Sequence, residues 1–158
     1  MSEFSHLDKN DRPLMVDVSQ KTATRRTAIA RSIVVLPQEV LDRFDNGDIH
    51  TKKGAVFQTA IIAGIMAAKK TGELIPLCHP LGLDNCQVVI HLDKKNELVI
   101  DCTAAILAKT GVEMEALVGA SIAALTVYDM CKSLSHDIVI KETRLIKKTG
   151  GKSDVDRK

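Results

Sequence analysis

A chain of 158 residues, 45% of them apolar, is long enough to bury the core of one domain, and the apolar content excludes disorder over most of its length. Its 22 basic residues face 20 acidic ones, and Phe44, Phe57 and Tyr128 are the only aromatics in the body of the chain, which argues against a base-stacking nucleic-acid binder. Cys78, Cys86, Cys102 and Cys131 are irregularly spaced and form no C-x-x-C pair, so neither a zinc site nor a disulfide framework is expected. The opening stretch MSEFSHLDKNDRP lacks the apolar core of a signal peptide. No apolar run approaches the roughly 20 residues of a membrane span. The expectation is a reduced, soluble, cytoplasmic protein with no membrane and no nucleic-acid partner.

Residues 1–13 read as a polar arm, 14–153 as one domain and 154–158 as a charged tail. RTAIARSIVVL (Arg26–Leu36) is β-branched and partly alternating, which predicts a strand. Pro37 then opens PQEVLDRFDNG, where Glu39 in the first turn and Gly47 past the end predict a short helix. Gly54–Thr71 predicts a stronger helix, stopped by Gly72. Ile75–Leu81, held by two prolines, predicts an extended wall against the core. Gln87–Asp93 and Glu97–Leu107 read as antiparallel strands joined by a Lys94-Lys95-Asn96 turn. Gly111 to Leu134 is the longest predicted helix, and Asp137–Ile146 the last strand. The order β-α-α-β-β-α-β predicts an α+β fold of the ferredoxin-like plait type, an antiparallel sheet with helices on one face. An open sheet of this size leaves a face and edges to cover, so self-association is expected.

Several places carry chemistry-bearing side chains. Asp129 and Lys132, three residues apart, share a helix face among apolar neighbours. If that stretch is buried, an acid and a cation held there suit proton transfer and stabilisation of negative charge, whereas an exposed pair would matter little. Glu113 and Glu115 open the same helix, where acids also simply complement its dipole. Lys52 and Lys53 stand at the positive end of the Gly54 helix, an unfavourable place unless an anion such as phosphate sits between them or the loop is merely solvated. His79, fixed before Pro80, suits a ligand donor or base, or a satisfied core histidine. Gly151-Lys152-Ser153 is no phosphate-binding loop, because Ile146 stands where the earlier glycine is required and no helix follows, which leaves a glycine-lysine segment folding over an anionic ligand or a flexible basic tail.

Met15-Val16-Asp17-Val18-Ser19, Lys53-Gly54, Pro76-Leu77-Cys78-His79-Pro80-Leu81, Thr110-Gly111-Val112-Glu113-Met114-Glu115-Ala116-Leu117, Tyr128-Asp129-Met130-Cys131-Lys132 and Gly150-Gly151-Lys152-Ser153 together closely resemble the molybdenum cofactor biosynthesis protein C family, from Met15 to Ser153. The resemblance implies a lyase, a cyclic pyranopterin monophosphate synthase. Such an enzyme converts (8S)-3',8-cyclo-7,8-dihydroguanosine 5'-triphosphate, a GTP-derived nucleotide, to the cyclic pyranopterin monophosphate and diphosphate in molybdopterin biosynthesis. It also implies a ferredoxin-like fold and a homohexamer, a trimer of dimers, with active sites at subunit contacts. Carried over position by position, Asp129, Lys132 and Lys53 look catalytic, and Leu77, Cys78, His79, Met114 and Glu115 are similar to substrate-binding elements. Arg26, Glu113 and Lys148 match further pocket positions. No cofactor is required, and whether Mg²⁺ accompanies the diphosphate stays open. The family often has Asp after Lys-Gly where this chain has Ala55, which puts local helix capping in doubt. If Gly111–Lys132 is one unbroken helix, Glu115 and Asp129 lie about 21 Å apart, so that they either bind opposite ends of a long ligand or, as is favoured here, each site takes one end from a neighbouring subunit.

Overall fold

The alternation read between Arg26 and Leu36 forms β1 (Thr24–Val35), the strand around which the sheet is built. The computed structural model describes residues 5–157, so the first four residues of the expected arm and Lys158 of the expected tail lie outside it. After β1 come α1 (Gln38–Leu41), a small hairpin pair β2 (Phe44–Asp45) and β3 (Asp48–Thr51), then β4 (Gly54–Ala55), which runs straight into α2 (Val56–Ala68) and the short α3 (Thr71–Leu74). β5 (Asn85–Leu92), β6 (Glu97–Ala108), α4 (Glu113–Cys131), β7 (Val139–Thr149) and β8 (Val155–Asp156) complete the chain.

The large sheet has the order β5-β6-β1-β7-β8, antiparallel throughout. Its four long strands connect as two split β-α-β units, β1-α2-β5 and β6-α4-β7, which is the ferredoxin-like plait. Paired residues share a face, so Ala28, Ala30 and Val34 line up with Ala104, Cys102 and Leu98 under the helices, all buried. The intervening residues form the opposite face, where Arg31 donates two hydrogen bonds, at 2.7 and 2.8 Å, to the carboxylate of Asp101. Val89 and Leu107 are exposed on that same face.

α2 and α4 pack on the covered face and on each other. The approach is close because glycines meet there: a Cβ at Gly64 would lie 2.8 Å from the carbonyl oxygen of Gly119. α4 is long and apolar enough to cross a membrane, a feature the residue pattern did not lead us to expect. Half of it is buried, however, as a core helix packed on both α2 and the sheet, with Ala116, Ala120, Ala123, Ala124 and Val127 all inaccessible.

The helix expected over PQEVLDRFDNG stops after one turn. Asn46 and Gly47, both at positive φ, form the two-residue turn between β2 and β3 and do not end a helix. Asn-Gly is a strong hairpin signal because a type I′ turn needs left-handed backbone at both positions. The small sheet β2-β3-β4 was therefore unforeseen. The expected extended wall is also replaced: the N–H of Cys78 bonds to the carbonyl of Ile75, making a turn, and the chain is irregular from there to Asp84. The Lys94-Lys95-Asn96 turn forms as expected, with Asn96 at φ 59° and the Asp93 carboxylate accepting the N–H groups of Lys95 and Glu97. Within the expected tail, Val155–Asp156 pairs with Lys147 and Lys148 of β7.

Candidate active site

Two groups of charged side chains stand at opposite ends of α4. Nineteen helical residues at 1.5 Å each make about 28 Å, and the helix is unbroken. The spacing inferred between Glu115 and Asp129 therefore holds within one chain.

At the C-terminal end, Asp129 accepts ion-pair hydrogen bonds from Lys53 Nζ at 2.8 Å and from Lys132 Nζ at 2.9 Å. Lys53 Nζ also donates to the main-chain carbonyl of Asp129 at 3.1 Å, among the helix-end carbonyls that favour a cation. The two lysine side chains hold the carboxyl down at about 2, and the same contact raises Lys132. The cluster is not buried: Asp129 is 54% exposed and each lysine 50%. The apolar neighbours had suggested a buried pair, but Val127, Met130 and Cys131 take the core-facing side and Asp129 and Lys132 are left outside. The pair is locked in its charged form, which suits charge stabilisation more than proton exchange at neutral pH.

Lys52 and Lys53 left open either an anion held at the start of α2 or a merely solvated loop. Two of the N–H groups there are already taken. Asp48 Oδ1 accepts from Phe57 N at 2.7 Å and Asp48 Oδ2 from Gln58 N at 3.2 Å. Ala55, at the cap position, makes no side-chain cap, so Asp48 answers the doubt that Ala55 raised. Lys53 turns instead to the far end of α4.

At the N-terminal end of α4 lies a cavity of about 460 Å³. Leu77, Cys78 and His79 line one side, Glu113, Met114 and Glu115 the helix side, and Lys148 comes from β7. Lys148 Nζ pairs with Glu113 at 3.0 Å. Glu115 is only 3% exposed, and burial, with the charge of Glu113 adding to it, raises its carboxyl above the ordinary glutamate value. Burial also raises the Cys78 thiol, with the Glu115 charge as a second cause, so Cys78 is held as a neutral thiol. The carbonyl oxygen of Val16 accepts a hydrogen bond from His79 Nε2 at 2.7 Å, which places the proton on Nε2. The histidine thus ties down a strap, residues 16–21, whose Val16, Val18 and Lys21 complete the cavity wall. Lys21 and Lys152 are cavity cations not assigned from the resemblance. Lys21 lies outside every periodic element and gave no local signal.

Arg26 lines an adjoining cavity of about 170 Å³ that shares Gly111, Glu113, Lys148 and Lys152 with the larger one. Its Nη2 donates to the carbonyl of Lys109 at 3.4 Å, while its buried Nε has no acceptor. Four cations against two carboxylates, one with a raised pKa, make this end a receptor for a polyanion. Among the described residues no group of three or more His, Cys, Asp or Glu side chains is placed to hold a metal ion.

Comparison with known proteins gives these two ends a common context. The chain is 53% identical to a molybdenum cofactor biosynthesis bifunctional protein of Synechocystis over 98% of its own length, and spans about half (46%) of that relative. It is 50% identical to a cyclic pyranopterin monophosphate synthase of Xanthomonas oryzae, covering 98% of this chain and 93% of the relative. A protein of the same name from Lysinibacillus sphaericus is 51% identical, covering 97% of this chain and 96% of the relative. The MoaC family model matches residues 15–151, a stretch that takes in the strap, both charged ends of α4 and the helix between them, and the chain belongs to that family.

Proposed function

We propose that this chain is a cytoplasmic cyclic pyranopterin monophosphate synthase, a diphosphate-releasing lyase acting on (8S)-3',8-cyclo-7,8-dihydroguanosine 5'-triphosphate. The observation that carries the reading is the identity of about half of all residues to proteins of that name over 93–96% of their length. The site chemistry agrees. Forming the cyclic monophosphate requires a sugar-derived hydroxyl to attack the inner phosphorus, making one P–O bond and breaking the P–O bond to diphosphate. The hydroxyl proton needs an acceptor, and negative charge builds on the phosphate oxygens. Lys53 and Lys132 supply fixed positive charge, with Asp129 orienting them. Arg26, Lys148, Lys152 and Lys21 receive the phosphate chain. Glu115, buried and raised, is suited to hold and release a proton nearer neutral pH than an ordinary glutamate. Leu77, Cys78, His79, Glu113 and Met114 shape and wall the substrate cavity. No protein-held cofactor is required; Mg²⁺ enters, if at all, on the diphosphate.

Because the two charged ends lie about 21 Å apart along α4, one reacting centre takes its cavity from one chain and its Lys53-Asp129-Lys132 cluster from a neighbour. The homohexamer built as a trimer of dimers meets that requirement, and the exposed apolar residues Ile62, Met66, Val89, Leu107 and Leu125 give it surface to bury.

Purified protein supplied with the cyclic nucleotide, with and without EDTA, should release diphosphate and yield the pyranopterin, and Asp129→Ala should lose about 10²-fold or more in kcat. Binding without turnover would make the protein a sensor of the nucleotide. Strict metal dependence would favour a phosphohydrolase with Asp129 as metal ligand.

A further inference from the structure

We infer that Asp48 is a positioning residue for the reaction, clipping the Lys53 loop to α2 so that Lys53 meets Asp129; this rests on the proposed role of Lys53. Asp48 is 6% exposed and no lysine, arginine or histidine pairs with it among the described residues. A buried carboxylate without a cation is costly unless N–H groups satisfy it. Three do so here: Ile49 at 2.6 Å, Phe57 at 2.7 Å and Gln58 at 3.2 Å. Phe57 and Gln58 are the second and third residues of α2, where the helix dipole favours an anion. The helix's own flank offers nothing, since Ala55 cannot cap.

The consequence is geometric. The hydrogen bonds from residues 57 and 58 to residue 48 close the chain between them into a ring, and Lys53 stands at the tip of that ring. Thr51 steadies the tip, its Oγ1 accepting the N–H of Lys53 at 3.2 Å. At the base, Asp48 lies near the end of α4: its charge adds to the burial that lifts the Cys131 thiol to about 11. Cys131 is two residues from Asp129. One buried carboxylate therefore ties the start of α2 to the β3 strand, and with them the ends of the loop that carries Lys53. The Lys53–Asp129 contact at 2.8 Å spans 76 residues of sequence and starts from that loop. The Lys53 side chain is half-exposed, and a single exposed ion pair does little to hold the loop.

The test is a double-mutant cycle in kcat for diphosphate release, using Asp48→Ala, Asp48→Asn, Lys53→Ala and Asp48→Ala/Lys53→Ala, each assayed below its own unfolding temperature. A misplacement of about 1 Å can cost on the order of 10²-fold, so Asp48→Ala is expected to lower kcat at least about tenfold. Asp48→Asn keeps one acceptor oxygen and should recover part of the loss, and it serves alone if the alanine variant does not fold. The double variant should be no slower than Lys53→Ala, because the clip acts through the lysine. Ile100→Val, a core truncation in β6, is the stability control and should leave kcat unchanged. If Asp48 variants lose only thermal stability, or if the two losses multiply in the double variant, the positioning role is wrong while Lys53 stands. If Lys53→Ala is itself fully active, the proposed role of Lys53 fails instead.

Discussion

At the scale of single residues, the two carboxylates at the ends of α4 have been driven in opposite directions. Asp129 is solvated and doubly paired, so it stays ionised through the whole working range of pH. Glu115 is buried beside another acid, so its charged form is disfavoured. In the unfolded chain Glu115 returns to its ordinary value. Between the ordinary and the raised pKa the folded chain binds the extra proton, and stability falls as pH rises through that window. Above it the full cost of the buried charge remains. Glu115→Gln is therefore expected to match the parent below about pH 4 and to unfold at a higher temperature near neutral pH, with activity lost. Thermal unfolding across pH checks this; a difference independent of pH would show that Glu115 is not held in that way. The i,i+3 relation of Asp129 and Lys132 was legible in the residue spacing, whereas Lys53, 76 residues away, was grouped with them only by the family resemblance, and its contact with Asp129 is seen only in the fold. Their exposure was misread because an apolar average over a helix says nothing about which side faces out.

At the scale of elements, the four long strands and the two long helices were readable because each carries its own period. The small β2-β3-β4 sheet was not, although Asn46-Gly47 announced its turn; an acidic first turn and a following glycine gave the helix reading equal local support. The contact of α2 with α4 was equally hidden, since glycines in a helix leave no apolar mark. Gly64→Ala would press a Cβ against the Gly119 carbonyl and is expected to destabilise by about 1–3 kcal/mol in chemical denaturation. A cost within experimental error would mean that the helices separate freely. Gly119 is bounded likewise, since a Cβ there would lie 2.5 Å from Cys102 Sγ in the sheet below.

At the scale of the whole molecule, the plait follows from the order of elements, and the proposed division of the site rests on the length of one of them. Inactive Asp129→Ala subunits mixed with inactive Glu115→Gln subunits under conditions of exchange should recover activity, because some shared sites then carry both intact ends. With random exchange about a quarter of such sites are intact. No recovery in hexamers verified by sedimentation would place both ends in one chain's site. The spacing behind that proposal was legible in the sequence, but the strap that closes the cavity was not. His79 and Val16 are far apart in the chain and their bond depends on a carbonyl, which no side-chain pattern reveals.

The continuity of α4 also constrains how the chain can change. A helix advances about 100° and 1.5 Å for every residue, so its two ends are geared together. One residue inserted near Ala120 would leave Glu113 and Glu115 at the cavity and swing Asp129 and Lys132 a quarter-turn and more away from Lys53. The buried alanine face would rotate out of the core at the same time. Length in this element is therefore fixed in phase: the count of residues between the two acids sets which way each end of the helix faces.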